Sequence, residues 1–392
     1  MRDINIRKII VLVLFYGIIL LPLFLWLLWL FTPRKPLSVL IMDKTVLHRQ
    51  CVEHRGLNWI LKNKKYVKPD HKFYVIDKDY YGFFPKDSNN FEIHDLHLYN
   101  DSQIEALSRM YDMTYYADQY GIYIGEWGLQ TEYTEHTPKI YGGMDWNDYL
   151  FLRKMKEKGK LIIAEFNFIH EPTPYAIRRS VEDLFHFRWT GWTGRYFDSL
   201  DTITNLELPR WVIKLYREQN NGRWPFKIDG LVFVHENNTI CILENKIDMD
   251  FPVPVIKTTD YGVNKYNIPA SINYPYWFDI TFPSDNVNRT LSSYYVYPNT
   301  RGDSILRRYH IPSVFPAFFE YEGEYKYYYF AGDWVDSDIK QNLVYFKWSD
   351  WFQKFTYNPK KLNERVYFNW NYYEPIVKDV LSRYYDEISK KR

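Results

Sequence analysis

Apolar positions form one long run at the start of the chain. Residues 9–31 contain no charged side chain. As a helix rising 1.5 Å per residue, they would span about 35 Å, enough to cross the hydrocarbon core of a bilayer. A cleaved signal peptide has a shorter apolar stretch and a small-residue cleavage site, which this run lacks. The pattern therefore predicts a transmembrane signal anchor over 9–31, with 1–8 as a cytoplasmic tail.

The charges that flank this run do not decide its orientation. Arg2, Arg7 and Lys8 precede it, and Arg34, Lys35, Lys44 and Arg49 follow within about 20 residues. The positive-inside count is therefore balanced. A short tail before a large folded part is typical of a single-pass protein with an extracytoplasmic domain, and this is the expected localisation.

The next part of the chain alternates short, continuously apolar runs with amphipathic stretches. The apolar runs predict strands, and the stretches between them predict helices. The predicted strands lie at 38–42, 73–76, 113–117 and 161–164, and the predicted helices at 52–61, 103–110, 145–158 and 175–185. Continuous apolar strands separated by helices favour a parallel sheet covered on both faces. We expect a flavodoxin-like α/β domain over 37–248.

After about residue 225 the pattern becomes strand-rich. The runs 230–234 and 239–243 flank a polar turn, and so do 317–321 and 325–330, which predicts two hairpins. Helical spacing returns only at 373–391. We expect a β-rich antiparallel part with a C-terminal helix over 249–392. It forms either a sandwich-like domain or an extension of the first sheet, and the boundary falls near Asp248–Pro254.

Each predicted parallel strand is followed by an acid, namely Asp43, Asp77, Asp118 or Glu165. Parallel sheets bind ligands outside the carboxyl ends of their strands, so these acids would converge there, with Asn167 close by. Converging acids suit acid–base chemistry or a divalent cation. The expected catalytic pair is Glu165 with Asp118, and the expected binding residues are Asp43, Asp77 and Asn167. The alternative is that the acids only cap helices and turns.

Two aromatic-rich segments add candidate binding residues. In Thr190–Phe197, Trp192 could stack on a ring of a ligand, and Arg195 could bind an anion. The alternative is that Trp192 is a core residue and that Arg195 pairs with one of the strand-end acids. In Phe330–Asp336, the acids Asp333 and Asp336 are either ligand groups or turn residues.

Composition narrows the classes of function. The chain has 392 residues, of which 20% are aromatic. Such rings stack on sugars, but they also fill β-rich cores or reflect gene composition. The net charge of +2 is spread along the chain, which argues against nucleic acid. Two buried thiols are expected for Cys51 and Cys241, with one disulfide as the alternative, and their spacing suggests no zinc site.

Strand ends such as Tyr116-Ala117-Asp118 and Ala164-Glu165-Phe166-Asn167 resemble those of class I glutamine-amidotransferase-like domains. The resemblance covers about 37–245 and implies the flavodoxin-like fold. That family needs a cysteine nucleophile on a strand-to-helix elbow and a His-x-Glu pair. Cys51 and Cys241 lie in neither setting, so the resemblance implies no glutaminase activity. Dinucleotide, P-loop and serine-hydrolase motifs are absent as well.

Together these features predict a bacterial cell-envelope protein that contacts the lipid bilayer and binds or processes a carbohydrate. If the protein is an enzyme, a glycoside hydrolase type of activity is expected. The alternative is a non-catalytic scaffold, or a partner of a membrane glycosyltransferase or polysaccharide synthase. No cofactor is required, although a divalent cation would suit the acids.

Overall fold

The computed structural model describes residues 6–87, 90–129, 137–284, 286–358 and 360–391, with side chains from Phe15 onward. The strands are β1 Lys35–Pro36, β2 Val39–Asp43, β3 Tyr66–Val67, β4 Tyr81–Asp87, β5 Asn90–His94, β6 Met113–Tyr116, β7 Ile122–Tyr123, β8 Lys139–Tyr141, β9 Leu161–Ala164, β10 Phe187–Phe197, β11 Gly230–His235, β12 Ile240–Glu244, β13 Met249–Thr258, β14 Ser271–Asn273, β15 Phe278–Pro283, β16 Arg289–Pro298, β17 Val314–Glu322 and β18 Lys326–Phe330.

The helices differ widely in length. They are α1 Ile6–Phe31, α2 Arg55–Asn63, α3 Asp101–Met110, α4 Ile124–Leu129, α5 Trp146–Glu157, α6 Tyr175–Phe185, α7 Arg210–Gln219, α8 Asp260–Tyr266, α9 Thr300–Arg308, α10 Ser349–Gln353, α11 Arg365–Phe368 and α12 Glu374–Ser389. Short 3₁₀ turns cover Val52–His54, Leu96–Leu98 and Gln341–Tyr345, and a π turn covers Asn369–Tyr373.

One large mixed sheet runs through the chain. Its ten strands lie in the order β14-β13-β16-β17-β18-β9-β6-β2-β4-β5. The five central strands, β18, β9, β6, β2 and β4, are parallel, and the outer pairings are antiparallel. The late strand β18 pairs with β9, so both halves of the sequence contribute to one sheet.

A second, four-stranded antiparallel sheet has the order β12-β11-β10-β15. Its β11–β12 hairpin pairs Gly230 with Glu244, and the β17–β18 hairpin of the large sheet pairs Glu322 with Lys326. Both predicted hairpins are therefore confirmed.

Helices cover both faces of the central sheet. Successive side chains of a strand point to opposite faces. The Tyr115 hydroxyl lies 2.8 Å from that of Tyr373, which precedes α12, whereas the Tyr116 hydroxyl donates to Asp148 of α5 at 3.3 Å. The α12 and α5 layers therefore lie on opposite sides of β6. Helix α3 begins with a capping box between Asn100 and Gln103, as its sequence predicts.

The fold expectation needs correction in two respects. The large sheet is mixed and not purely parallel: the late strands extend the first sheet, which is one of the two forms expected for this part, and β18 joins β9 directly. The predicted strand at 73–76 is wrong as well. Tyr74 donates its hydroxyl to Leu37 O at 2.7 Å, and the next parallel strand is β4, further along the chain. The boundary near residue 248 stays a prediction.

Helix α1 covers the apolar run, and its last turns pack on the folded chain. Leu25 and Trp29 are buried, and the Trp29 indole donates to Asn63 O at 3.0 Å. Within the part of the chain that the structure describes, no helix is long and apolar enough to cross a membrane. This finding overturns the predicted transmembrane anchor over 9–31 and the single-pass localisation. The predicted tail over 1–8 lies largely outside the described residues.

Candidate functional site

The carboxyl ends of four neighbouring parallel strands, β2, β6, β9 and β18, open onto one cleft. The second sheet lines its other side through β10 and β11, and the cleft encloses ≈ 180 Å³. Its walls combine carboxyl groups with aromatic rings. The residues used below are Thr45, Asp118, Tyr120, Phe166, Asn167, His170, Trp189, Trp211, Tyr276, Trp277, Asp333 and Asp336.

Asp118 lies near the centre of this edge and is half-buried. Its Oδ1 accepts hydrogen bonds from Thr45 Oγ1 at 2.9 Å and from the Tyr120 amide at 2.6 Å. Its Oδ2 accepts from Asn167 Nδ2 at 3.1 Å. Burial, reinforced by the charge of Asp43, raises the pKa of Asp118 to about 7. This carboxyl therefore exchanges its proton near neutral pH.

The contacts of Asn167 fix the state of His170. Because Asn167 donates to Asp118 through Nδ2, its Oδ1 is the atom that accepts from His170 Nδ1, at 2.9 Å. His170 is only 3% exposed and stacks on Trp189 with ring centroids 4.0 Å apart. Burial holds the pKa of His170 well below its usual range. The ring is therefore neutral, with its proton on Nδ1 and a lone pair on Nε2.

Asp333 and Asp336 follow β18 and occupy different electrostatic environments. Asp336 forms an ion pair with Arg365 at 3.3 Å and accepts from the Tyr276 hydroxyl at 3.4 Å. Burial and the neighbouring Asp336 charge raise the pKa of Asp333 well above its usual range. The cleft therefore presents a carboxyl that favours its neutral form, Asp333, beside one that is ion-paired with an arginine, Asp336.

Glu165 lies beneath the cleft and does not line it. Its Oε2 accepts from the backbone amides of Trp334 and Val335 at 2.9 and 3.0 Å, and Tyr115 bonds to its Oε1. The side chain is fully buried, and burial raises its pKa well above the usual range. The geometry thus gives Glu165 a structural role, since it ties β9 to the loop that carries Asp333.

Asp43 and Asp77 also lie outside the lining of the cleft. Asp43 is fully buried, and its Oδ2 lies 2.6 Å from His54 Nδ1. Asp77 is exposed in a turn that precedes β4. Of the four predicted strand-end acids, only Asp118 reaches the cleft.

In the predicted Trp–Arg segment, neither Trp192 nor Arg195 lines the cleft. Trp192 is buried edge-on against His235, with ring centroids 4.8 Å apart. Arg195 pairs with Glu207 and lies 4.6 Å from the ring centroid of Tyr276. The residues of this strand that line the cleft are Trp189, Gly191 and Thr193.

Three side chains away from the cleft, Asp95, His97 and Asp145, could hold a metal ion, because their ligand atoms lie within 4.8 Å of one another. The donor set is already partly used. Asp95 Oδ2 lies 2.9 Å from Lys44 Nζ and accepts from the Tyr141 hydroxyl at 2.6 Å. A divalent cation would have to compete with this buried lysine.

The sequence analysis missed His170, Trp189, Tyr276 and Trp277. None belongs to a local motif, and their one signal was the high aromatic content of the chain. The two thiols were predicted correctly, since Cys51 and Cys241 are both free and buried.

Comparisons with known proteins give distant structural similarities. A Bacteroides uniformis protein described as ThuA-like is 12% identical, with a TM-score of 0.33 over 80% of this chain and 89% of that chain. A second ThuA-like protein, from Parabacteroides merdae, is 12% identical, with a TM-score of 0.34 over 76% and 79%. A glutamine amidotransferase from Thermotoga maritima is 9% identical, with a TM-score of 0.30 over 89% and 98%. No protein-family model and no curated protein matches the sequence.

Proposed function

We propose that the chain binds a carbohydrate in the cleft at the carboxyl ends of the central strands. The supporting observation is the combination of ring faces and hydrogen-bonding groups in one concave surface. Trp189, Trp211 and Trp277 line the same cleft as Asp118 and Asp336. Sugars present apolar faces that stack on rings and hydroxyl groups that bond to carboxylates, so the two kinds of group serve one ligand.

The rings are held rather than free to collapse into the cleft. Trp277 stacks on Phe166 with ring centroids 6.1 Å apart. The Trp189 indole donates to Trp192 O at 2.9 Å, and its ring rests against His170. Rings fixed in this way lose little conformational entropy when a ligand stacks on them.

The cleft also contains a group suited to proton transfer. A carboxyl with a pKa of about 7, as in Asp118, is poised to donate a proton to a leaving oxygen at neutral pH. Asp336, paired with Arg365, is a carboxylate in the same cleft. Asp118 and Asp336 thus replace Asp118 and Glu165 as the pair to test for glycoside hydrolysis.

Calorimetric titration of the purified chain with a panel of neutral oligosaccharides tests the proposal. We expect Trp277→Ala to weaken binding by about tenfold, which corresponds to about 1.4 kcal/mol. Trp351→Ala is the matched control, because Trp351 is 55% exposed and lies outside the cleft. An unfolding midpoint for each variant confirms that it remains folded.

The same panel, incubated with the wild type and with Asp118→Asn, tests turnover by chromatography of the products. We expect hydrolysis by the wild type to disappear in the variant. If no oligosaccharide binds, or if Trp277→Ala and Trp351→Ala behave alike, the cleft is not a carbohydrate site.

A further inference from the structure

The ionisable side chains that line the cleft are mainly acidic. Seven carboxyl side chains line it, including Asp118, Glu171, Asp333 and Asp336, and no lysine or arginine does so among the residues that the structure describes. The nearby Arg178 and Arg365 form ion pairs with Glu236 and Asp336. An anionic ligand would therefore find no lysine or arginine in the lining to pair with, and both of these arginines are already paired.

The hydrogen-bond donors of the cleft are largely used by the protein itself. Thr45 Oγ1 donates to Asp118, the Tyr276 hydroxyl donates to Asp336, and the Trp189 indole donates to a backbone carbonyl. His170 Nε2, on a ring that is only 3% exposed, faces the buried Asp279 Oδ2 at 3.5 Å, and His170 Nδ1 donates to Asn167, so neither ring nitrogen is a free donor. The cleft therefore has few free hydrogen-bond donors, and a ligand that carries its own donors suits it.

A compact metal ion fits this arrangement less well than a larger cation. Among the described residues, only Asp95, His97 and Asp145 bring three acidic, histidine or cysteine ligand atoms within 4.8 Å, and they lie outside the cleft. The carboxyl groups of the cleft are thus spread along its walls. The rings of Trp189 and Trp277 add faces that attract organic cations.

We propose that the cleft selects a sugar that carries a protonated amino group, such as a glucosamine unit. This inference rests on the proposed carbohydrate function and deepens it. An ammonium group supplies three donors and a positive charge to an acceptor-rich, cation-poor site. Its charge also favours the ionised forms of Asp118 and Asp333, so binding releases protons into solution.

The test compares oligosaccharides of equal length, and the amino and acetylated probes also share their linkage. The probes are a β-1,4-linked glucosamine tetramer, the fully N-acetylated tetramer and a galacturonate tetramer, titrated at low salt and at pH 5.5, where the amino groups are already protonated. We expect the amino sugar to bind at least tenfold more tightly than the acetylated one, and the uronate not to bind. Titration in buffers of different ionisation enthalpy should show proton release with the amino sugar only.

Substitutions of the carboxyl groups test whether they cause the preference for the amino sugar. Asp118→Asn and Asp333→Asn should each move the amino-to-acetyl affinity ratio toward one, and Asp250→Asn, at an exposed position of β13, should leave the ratio unchanged. Equal or tighter binding of the acetylated tetramer refutes the amino-sugar inference but leaves the carbohydrate function standing. Failure of all three probes and of the neutral panel removes both.

Discussion

Substitutions of Glu165 test whether this residue has a structural or a catalytic role. Its position at the end of a strand suggested catalysis, but its contacts in the fold indicate a structural role. Its Oε2 is the acceptor for the amides of Trp334 and Val335. Burial raises the pKa of this carboxyl well above its usual range, which favours its neutral form. Glutamine has the same shape and is also neutral, with one carbonyl oxygen for these amides and an NH₂ group for Tyr115. Alanine has neither.

The expected magnitudes follow from these contacts. Glu165→Ala leaves two buried N–H groups without an acceptor, at about 1–3 kcal/mol each. The free energy of unfolding should therefore fall by about 2–6 kcal/mol, and more if the vacated space stays empty. Glu165→Gln keeps the acceptor and should cost less than about 1 kcal/mol.

Urea unfolding at pH 7, followed by tryptophan fluorescence, measures both variants. Glu324→Ala, in an exposed hairpin turn, is the matched control and should change stability by no more than about 0.5 kcal/mol. Oligosaccharide binding and turnover by Glu165→Gln should match the wild type. A well-folded Glu165→Gln variant that has lost turnover would refute the structural assignment and restore Glu165 as a catalytic candidate.

Three further substitutions test other parts of the structure. Lys44→Met should lower the free energy of unfolding by about 3–5 kcal/mol in urea titrations, because Asp95 and Asp148 lose the buried ammonium that lies 2.9 and 2.8 Å from them. Burial raises the pKa of Asp279 to about 7. The folded state therefore holds an extra proton between about pH 4 and 7, and stability from this group falls as pH rises through that window. Asp279→Asn should reduce, but not abolish, the fall in urea midpoint between pH 5 and pH 8, because Asp118 has a raised pKa as well. Gly82→Ala should lower the melting temperature, because a Cβ would lie 1.7 Å from Asp43 O at a residue with φ of 143°.

Three of the central strands were predictable because burial on both faces requires continuous apolar runs. Residues 39–43, 113–116 and 161–164 meet that requirement and form β2, β6 and β9. The run at 73–76 has the same composition, but Val75 is exposed and only Tyr74 is buried there. Four apolar residues do not by themselves distinguish a strand from a packed loop.

The insertion of β18 beside β9 could not be predicted from local pattern. The two strands are separated by more than 150 positions in the chain, and their pairing is set by the whole sheet. This pairing brings Asp333 and Asp336 to the edge that carries Asp118. The composition of Phe330–Asp336 alone identified this segment as a candidate binding segment. Which residues lie next to it in space depends on the order of the strands in the sheet.

The distance of each polar residue from the end of its strand explains which of them reach the cleft. Asp43 is the last residue of β2, and Glu165 directly follows β9; both continue the strand's alternation and stay between the sheet and its helices. Asp118 and Asn167 come two and three positions after their strands, where the chain has turned toward the open edge. Asp333 comes three positions after β18 and lines the same cleft. Acids that directly end a buried strand therefore lie in the packed layers of this fold, and those two or three positions further along line the cleft.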